Sequence, residues 1–225
     1  MFIAETFTSL QGEGVLVGVP SFFIRTSGCN LRCRWCDTPY TSWLPEGDRR
    51  SLEDLVAEAR ASGVKHAVVT GGEPLLQREI GLLTRELRAA GLHVTVETAA
   101  TVAPDFDCDL LSVSPKTANS DPQGVWRERH RRLCADREPL RSLLHRFPEY
   151  QIKFVVAEPD DLAEVLAVLE EIGGIDASRV LLMAEGRDAA EVAVKAGVVA
   201  DLCSEHGFRY TPRLHLDLFG AGRGV

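Results

Sequence analysis

Long apolar runs are missing from this chain. No stretch approaches the ~20 residues that a membrane-crossing helix needs, so no such span is expected. The opening Met1-Phe2-Ile3-Ala4-Glu5 lacks the basic segment and apolar core of a secretory signal. Positive charge is also in deficit. Lys and Arg total 25 against 33 Asp and Glu, a formal net charge of -8. Nonspecific nucleic-acid binding draws its affinity from a basic surface, so that class of function is not expected. Cysteine is sparse outside one group: Cys108, Cys134 and Cys203 stand singly and read as small buried or half-buried apolar residues. The expectation is a reduced, cytoplasmic protein with no membrane and no nucleic-acid partner.

What is present suffices for a core. A chain of 225 residues, 45% of them hydrophobic, fits one folded domain spanning 1–225. Its most informative stretch is Gly28-Cys29-Asn30-Leu31-Arg32-Cys33-Arg34-Trp35-Cys36-Asp37-Thr38, a C-x3-C-x2-C array after the apolar strand Ser21-Phe22-Phe23-Ile24-Arg25. Three thiolates this close can converge on one soft metal centre. A [4Fe-4S] cluster on three thiolates leaves one iron free for a small molecule. A structural zinc site usually closes four ligands in two separated pairs. His66 and Cys108 are distant in sequence, but folding can bring distant residues in, so zinc stays open. A disulfide would leave one thiol over.

Strands and helices alternate along the rest. Residues 2–7 alternate as an edge strand does, and Ser9-Leu10-Gln11-Gly12-Glu13-Gly14 is a turn whose glycines let main chain approach a ligand. Residues 41–50 read as a polar loop. Ser51 caps a helix that runs to about 62, with an acid three residues on. Strands are expected at 66–70, 92–98, 109–114, 150–156 and 179–183, and helices at 75–90, 160–172 and 188–206. A last short strand falls within 208–216. About six β/α units imply parallel strands with right-handed crossovers, fewer than a closed barrel's eight. The fold class is α/β, a partial (β/α)6 TIM-type barrel. Residues 117–148 break the rhythm as an irregular, arginine-rich insertion with helical pieces near 125–133 and 140–146. It reads as a solvated insertion or subunit contact; a lid or a docking face for an acidic electron donor is the alternative.

Reactive groups of α/β barrels gather at the C-terminal ends of the strands. Arg25 with the cysteine loop, Thr70-Gly71-Gly72-Glu73, Glu97-Thr98, Ser114-Pro115-Lys116 and Met183-Ala184-Glu185 all fall at such ends. Five in succession describe one shared pocket. Arg25 offers a guanidinium fork suited to a carboxylate; an ion pair with an acid such as Glu5 is the simpler alternative.

The C-x3-C-x2-C loop followed by Gly71-Gly72-Glu73-Pro74 resembles the radical S-adenosylmethionine (SAM) enzymes. With Leu10-Gln11-Gly12-Glu13-Gly14, Arg25, Cys36-Asp37-Thr38 and Thr70, the resemblance narrows to the 7-carboxy-7-deazaguanine synthase family. That resemblance implies a [4Fe-4S] cluster on Cys29, Cys33 and Cys36, and Mg²⁺ on Thr38. It implies SAM contacts from Trp35, Cys36, Asp37, Gly72, Ser114 and Lys116, and by position from Met183, Ala184 and Glu185. Leu10, Gln11, Gly12, Arg25 and Thr70 would hold the substrate, 6-carboxy-5,6,7,8-tetrahydropterin, which is converted to 7-carboxy-7-deazaguanine with loss of ammonia on the route to queuosine and related bases. No side chain need act as a nucleophile. A flavodoxin- or ferredoxin-type electron donor and a homodimer are implied as well. Ala99-Ala100 departs from the polar, glycine-containing turn expected after Glu97-Thr98. The nearer alternative is another radical SAM enzyme such as a glycyl-radical activating enzyme, though those lack Cys36-Asp37-Thr38; a non-catalytic metal-binding module is the further one.

Overall fold

The computed structural model describes residues 1–224. Its elements run β1 (Phe2–Leu10), β2 (Pro20–Thr26), α1 (Pro39–Ser42), β3 (Asp48–Arg49), α2 (Leu52–Ala61), β4 (His66–Gly71), α3 (Ile80–Ala89), β5 (His93–Thr98) and β6 (Leu110–Val113). They continue with α4 (Arg127–Ala135), α5 (Glu138–Arg146), β7 (Tyr150–Val156), α6 (Asp161–Ile172), β8 (Val180–Ala184), α7 (Ala189–His206), β9 (Arg209–Tyr210) and α8 (Leu214–Phe219). One nine-stranded sheet has the order β3-β1-β2-β4-β5-β6-β7-β8-β9. From β2 to β9 every neighbouring pair is parallel, while β1 runs antiparallel to both β2 and β3. The sheet's two edges are not joined, so it is an open, partial α/β barrel.

The two faces of the parallel strands divide by composition. Ile24, Val69, Val96, Val113, Phe154 and Leu182 are buried against the helices in the main apolar core. Their alternates, Arg25, Thr70, Glu97, Ser112, Gln151 and Lys153, point the other way, into the barrel. Strands covered on both faces are normally apolar throughout. Here much of the inner row is polar, with Phe23, Val155 and Met183 among it, and it surrounds a cavity instead of a packed interior.

Local chemistry explains the element ends. Ser51 Oγ accepts from Asp54 N at 3.0 Å and starts α2; Asp188 accepts from Glu191 N at 2.9 Å and starts α7. Gly207, with φ 69°, closes α7. Two expectations are corrected. The outermost strand is β3, drawn from the stretch expected to be loop, and β1 lies inside it. Pro74 opens a single 3-10 turn, Gln77 is extended, and α3 begins only at Ile80. Within 208–216 only Arg209 and Tyr210 pair as strand before Pro212 ends it, and α8 follows. The arginine-rich segment 117–148 is the β6-to-β7 crossover, carrying α4 and α5 near the expected positions. The β5-to-β6 connection, by contrast, contains no helix.

Candidate active site

At the C-terminal ends of the strands lies a cavity of about 730 Å³, within the range of ligand pockets. The cysteine loop forms one wall. Gly28 N donates to Thr41 O at 2.8 Å, Glu73 N to Gly28 O at 2.9 Å and Gly72 N to Thr26 O at 3.0 Å, so the Gly71-Gly72-Glu73 turn pins the loop's base. A Cβ on Gly72 would lie 2.7 Å from Thr41 O and closer still to Gly28 O. Glu73 is fully buried; its carboxylate accepts from Thr98 Oγ1 at 2.7 Å, Ala99 N at 2.9 Å and Leu75 N at 3.1 Å. Those bonds tie the loop's anchor to the end of β5. The turn after β5 places buried Ala100 at φ 57°, a left-handed conformation that a glycine would adopt more easily.

Cys29, Cys33 and Cys36 all line the cavity. Burial, then the nearby Glu73, pushes the Cys29 thiol up to about 12, and burial pushes Cys33 upward too. Lys116 near Cys33 and Arg32 near Cys29 pull the other way without outweighing burial, whereas a bound metal would deprotonate both outright. Among the described residues no three His, Cys, Asp or Glu side chains gather tightly enough for a single ion. Sulfurs on one tetrahedral zinc sit about 3.8 Å apart, given Zn–S bonds of ~2.3 Å. A cluster places each thiolate on its own iron and needs a wider triangle. Three thiols on one loop, all lining one cavity, can hold such a cluster.

The facing wall is the polar inner row. Glu97 accepts from Thr70 Oγ1 at 2.9 Å and from Gln11 Nε2 at 3.1 Å. Lys153 Nζ lies 2.9 Å from Glu13 Oε2 and 3.6 Å from Glu97 Oε1, with its side chain 4% exposed. Burial alone would raise the Glu13 carboxyl, but Lys153 and then Arg213 outweigh it and hold it well below the usual range. Burial would likewise lower Lys153; Glu13 and Glu97 overcome that and hold it charged. Arg213, buried, spans from Glu13 at 3.5 Å to Asp37 in the cysteine loop and donates to Gly186 O. Leu214 N donates to Gly12 O at 2.9 Å, so the chain's last helix is tied across the cavity mouth.

Most residues singled out in the sequence meet here. Leu10, Gln11, Gly12, Arg25, Thr38 and Thr70 line the cavity, as do Trp35, Asp37, Gly72, Ser114, Lys116 and Met183. Lys116 Nζ donates to Ser114 Oγ at 2.7 Å and lies 5.4 Å from the Trp35 ring centroid. Thr38 Oγ1 accepts from Thr41 Oγ1 at 3.1 Å and lies 4.0 Å from Cys36 Sγ. Arg25 makes the ion pair weighed as its alternative: Nε is 2.7 Å from Glu5 Oε1, which also accepts from Tyr40 OH at 2.6 Å. Ala184 and Glu185 are not brought to the cavity. Strand alternation turns Ala184 into the apolar core, and Glu185 pairs with Lys195 on α7. Glu13, Lys153, Arg213 and His215 line the cavity without having been assigned a role.

The radical SAM superfamily model matches residues 23–158. A 7-carboxy-7-deazaguanine synthase from Rhodopirellula baltica is 44% identical over 229 residues, covering 100% of this chain and 89% of that one. The enzyme of the same name from Halobacterium salinarum is 45% identical, covering 96% and 90%. Among solved structures, QueE from Escherichia coli superposes with a TM-score of 0.71 at 26% identity, covering 95% of this chain and 94% of that one.

Proposed function

The chain belongs to the 7-carboxy-7-deazaguanine synthase family of the radical SAM superfamily, and from that membership we propose that it converts 6-carboxy-5,6,7,8-tetrahydropterin to 7-carboxy-7-deazaguanine with release of ammonia. The observation that carries the reading is the pairing of two walls on one cavity: three cysteines on one side, a row of ion-paired polar groups on the other. About 730 Å³ accommodates a nucleoside-sized cofactor beside a bicyclic substrate.

When bound, the cluster and SAM supply a 5′-deoxyadenosyl radical through a one-electron reduction. Everything else falls to the chain's own groups. Cys29, Cys33 and Cys36 hold the cluster. Trp35, Asp37, Gly72, Ser114, Lys116 and Met183 face SAM, and the missing Cβ of Gly72 lets the cysteine loop pack against that turn. Ala184 and Glu185 serve that site through the backbone they share with Met183. The pterin lies against Leu10, Gln11, Gly12, Arg25 and Thr70. Arg25 uses Nε for Glu5, and its Nη groups remain to meet the substrate carboxylate. Thr38 Oγ1 is the protein ligand for a Mg²⁺ that orients that carboxylate. Lys153, held charged by two carboxylates, keeps its proton and holds Glu13 in its ionised form. Those carboxylates accept hydrogen bonds from the N–H edge of a pterin.

The proposal includes a reductant of the flavodoxin or ferredoxin kind, a homodimer and a cytoplasmic location, which the family resemblance supports. Among the described residues no helix is long and apolar enough to cross a membrane. The test is anaerobic turnover of the reconstituted protein with SAM, dithionite and 6-carboxytetrahydropterin, with and without Mg²⁺. Ammonia and 7-carboxy-7-deazaguanine in equal amounts, without net SAM loss, are expected. SAM cleavage that leaves the pterin intact would overturn the substrate.

A further inference from the structure

The arginine-rich crossover packs directly on the cysteine loop. Arg34 N donates to Ser120 O at 3.0 Å, and Arg32 N donates to His130 Nδ1 at 3.2 Å. His130, 1% exposed, is fixed in turn by Ser120 Oγ, 2.9 Å from its Nε2. The Arg32 guanidinium lies 4.7 Å from the Trp126 ring centroid. Thus α4 is held against the outer side of the loop that carries Cys33.

Charge on this face runs against the rest of the molecule. The chain is net -8, yet Arg127, Arg129, Arg131 and Arg132 fall within one short helix. Asp121 pairs with Arg127 at 3.5 Å and with Arg131, and so neutralises one flank. Arg129 and Arg132 are three residues apart on the other flank, so they lie side by side. Both are exposed, as is Arg34 between Cys33 and Cys36, and among the described residues none of the three is ion-paired. Beside them Val125 is 91% exposed and Trp126 37%. Arginines in excess over the helix's one acid, Glu128, around exposed apolar side chains have the composition of a protein-binding patch.

We propose that this face, formed by Arg34, Val125, Trp126, Arg129 and Arg132, docks a small acidic electron-carrier protein. This rests on the function proposed above and names the place where its reductant binds. One electron passes from the carrier's reduced cofactor to the cluster beneath Cys33; the carrier is left one electron oxidised, and no atom changes hands. The positive patch steers an acidic carrier to this face, while the net negative charge elsewhere repels it.

The test uses the reconstituted holoenzyme, a purified flavodoxin of net negative charge, and the variant Arg129→Glu/Arg132→Glu. Both substitutions are on solvent-facing positions outside the cavity. The flavodoxin Kd, read from flavin fluorescence, should rise about ten-fold at low salt, with Arg129→Gln/Arg132→Gln intermediate. The gap should close as added salt shortens the screening length. Dithionite-driven turnover should stay at the wild-type level. Equal Kd values for wild type and the charge-reversed variant would overturn the docking face. So would a variant that loses RNA binding while its flavodoxin affinity is unchanged. If wild type fails to turn over the pterin with dithionite, yet flavodoxin binding still depends on the arginines, the substrate is wrong and the docking face stands.

Discussion

Replacing Lys153 by Met tests whether the polar wall is held by charge. The side chain is 4% exposed, and its ammonium faces Glu13 at 2.9 Å and Glu97 at 3.6 Å. Removing one partner of a buried ion pair typically costs 3–5 kcal/mol, because the other charge is left uncompensated. Arg213 remains 3.5 Å from Glu13, and Thr70 and Gln11 still donate to Glu97, so the loss should sit at the low end, about 3 kcal/mol. Acid dependence supplies a second signature. The Glu13 carboxyl is held below its unfolded value near 4.5. Its stabilisation is therefore complete above that pH and is lost as pH falls toward the folded value. Wild-type stability should climb as pH rises from 3 to about 5.5, and Lys153→Met should climb less. Denaturant unfolding of the metal-free protein, followed by tryptophan fluorescence, measures both. Adding Glu13→Gln to the variant should recover at least about 1 kcal/mol. A loss under about 1 kcal/mol, an unchanged acid slope and no recovery would together refute the ion-pair account.

Gly72→Ala should lower metal-free stability by about 2–3 kcal/mol, because its Cβ meets two backbone carbonyls, not a yielding side chain; it should also abolish measurable SAM binding by equilibrium dialysis. Cys33→Ala should change metal-free stability by only about 1 kcal/mol, yet the reconstituted protein should lose its iron, sulfide and visible absorbance; a full cluster in that variant would remove Cys33 from the ligand set. Thr38→Ala loses one hydrogen bond, from Thr41, worth about 1 kcal/mol. Its turnover should no longer respond to Mg²⁺, and a persisting response in a titration would exclude Thr38 as the ligand.

Local signals in the sequence led to most of the framework. The alternation in Tyr150–Val156 marks β7 to the residue, and Ser51 marks the start of α2. The strand-end motifs did converge on one cavity, because parallel strands put all their C-terminal ends on one side. The ion-paired wall was harder to see. Glu13, Lys153 and Arg213 are single charged residues separated by up to 200 positions, and no local rule links them. A usable signal was nevertheless present: Gln151 and Lys153 alternate with apolar neighbours in a strand that helices and neighbouring strands cover, as do Ser112 and Ser114. Polar alternates in such a strand point to a lined cavity. Position at the end of β8 likewise did not say which way the Glu185 side chain turns: it meets Lys195 on α7 rather than the cavity.

The closure of the cavity mouth also fixes an order of assembly. One bond that makes it joins residues 176 positions apart, Asp37 to Arg213. Contacts of such long range carry the full entropy of loop closure and form after nearer ones have condensed. The sheet and the cysteine loop, pinned by neighbouring strands, do not depend on them. The expected order of folding therefore arranges the cysteine loop before the mouth closes over it.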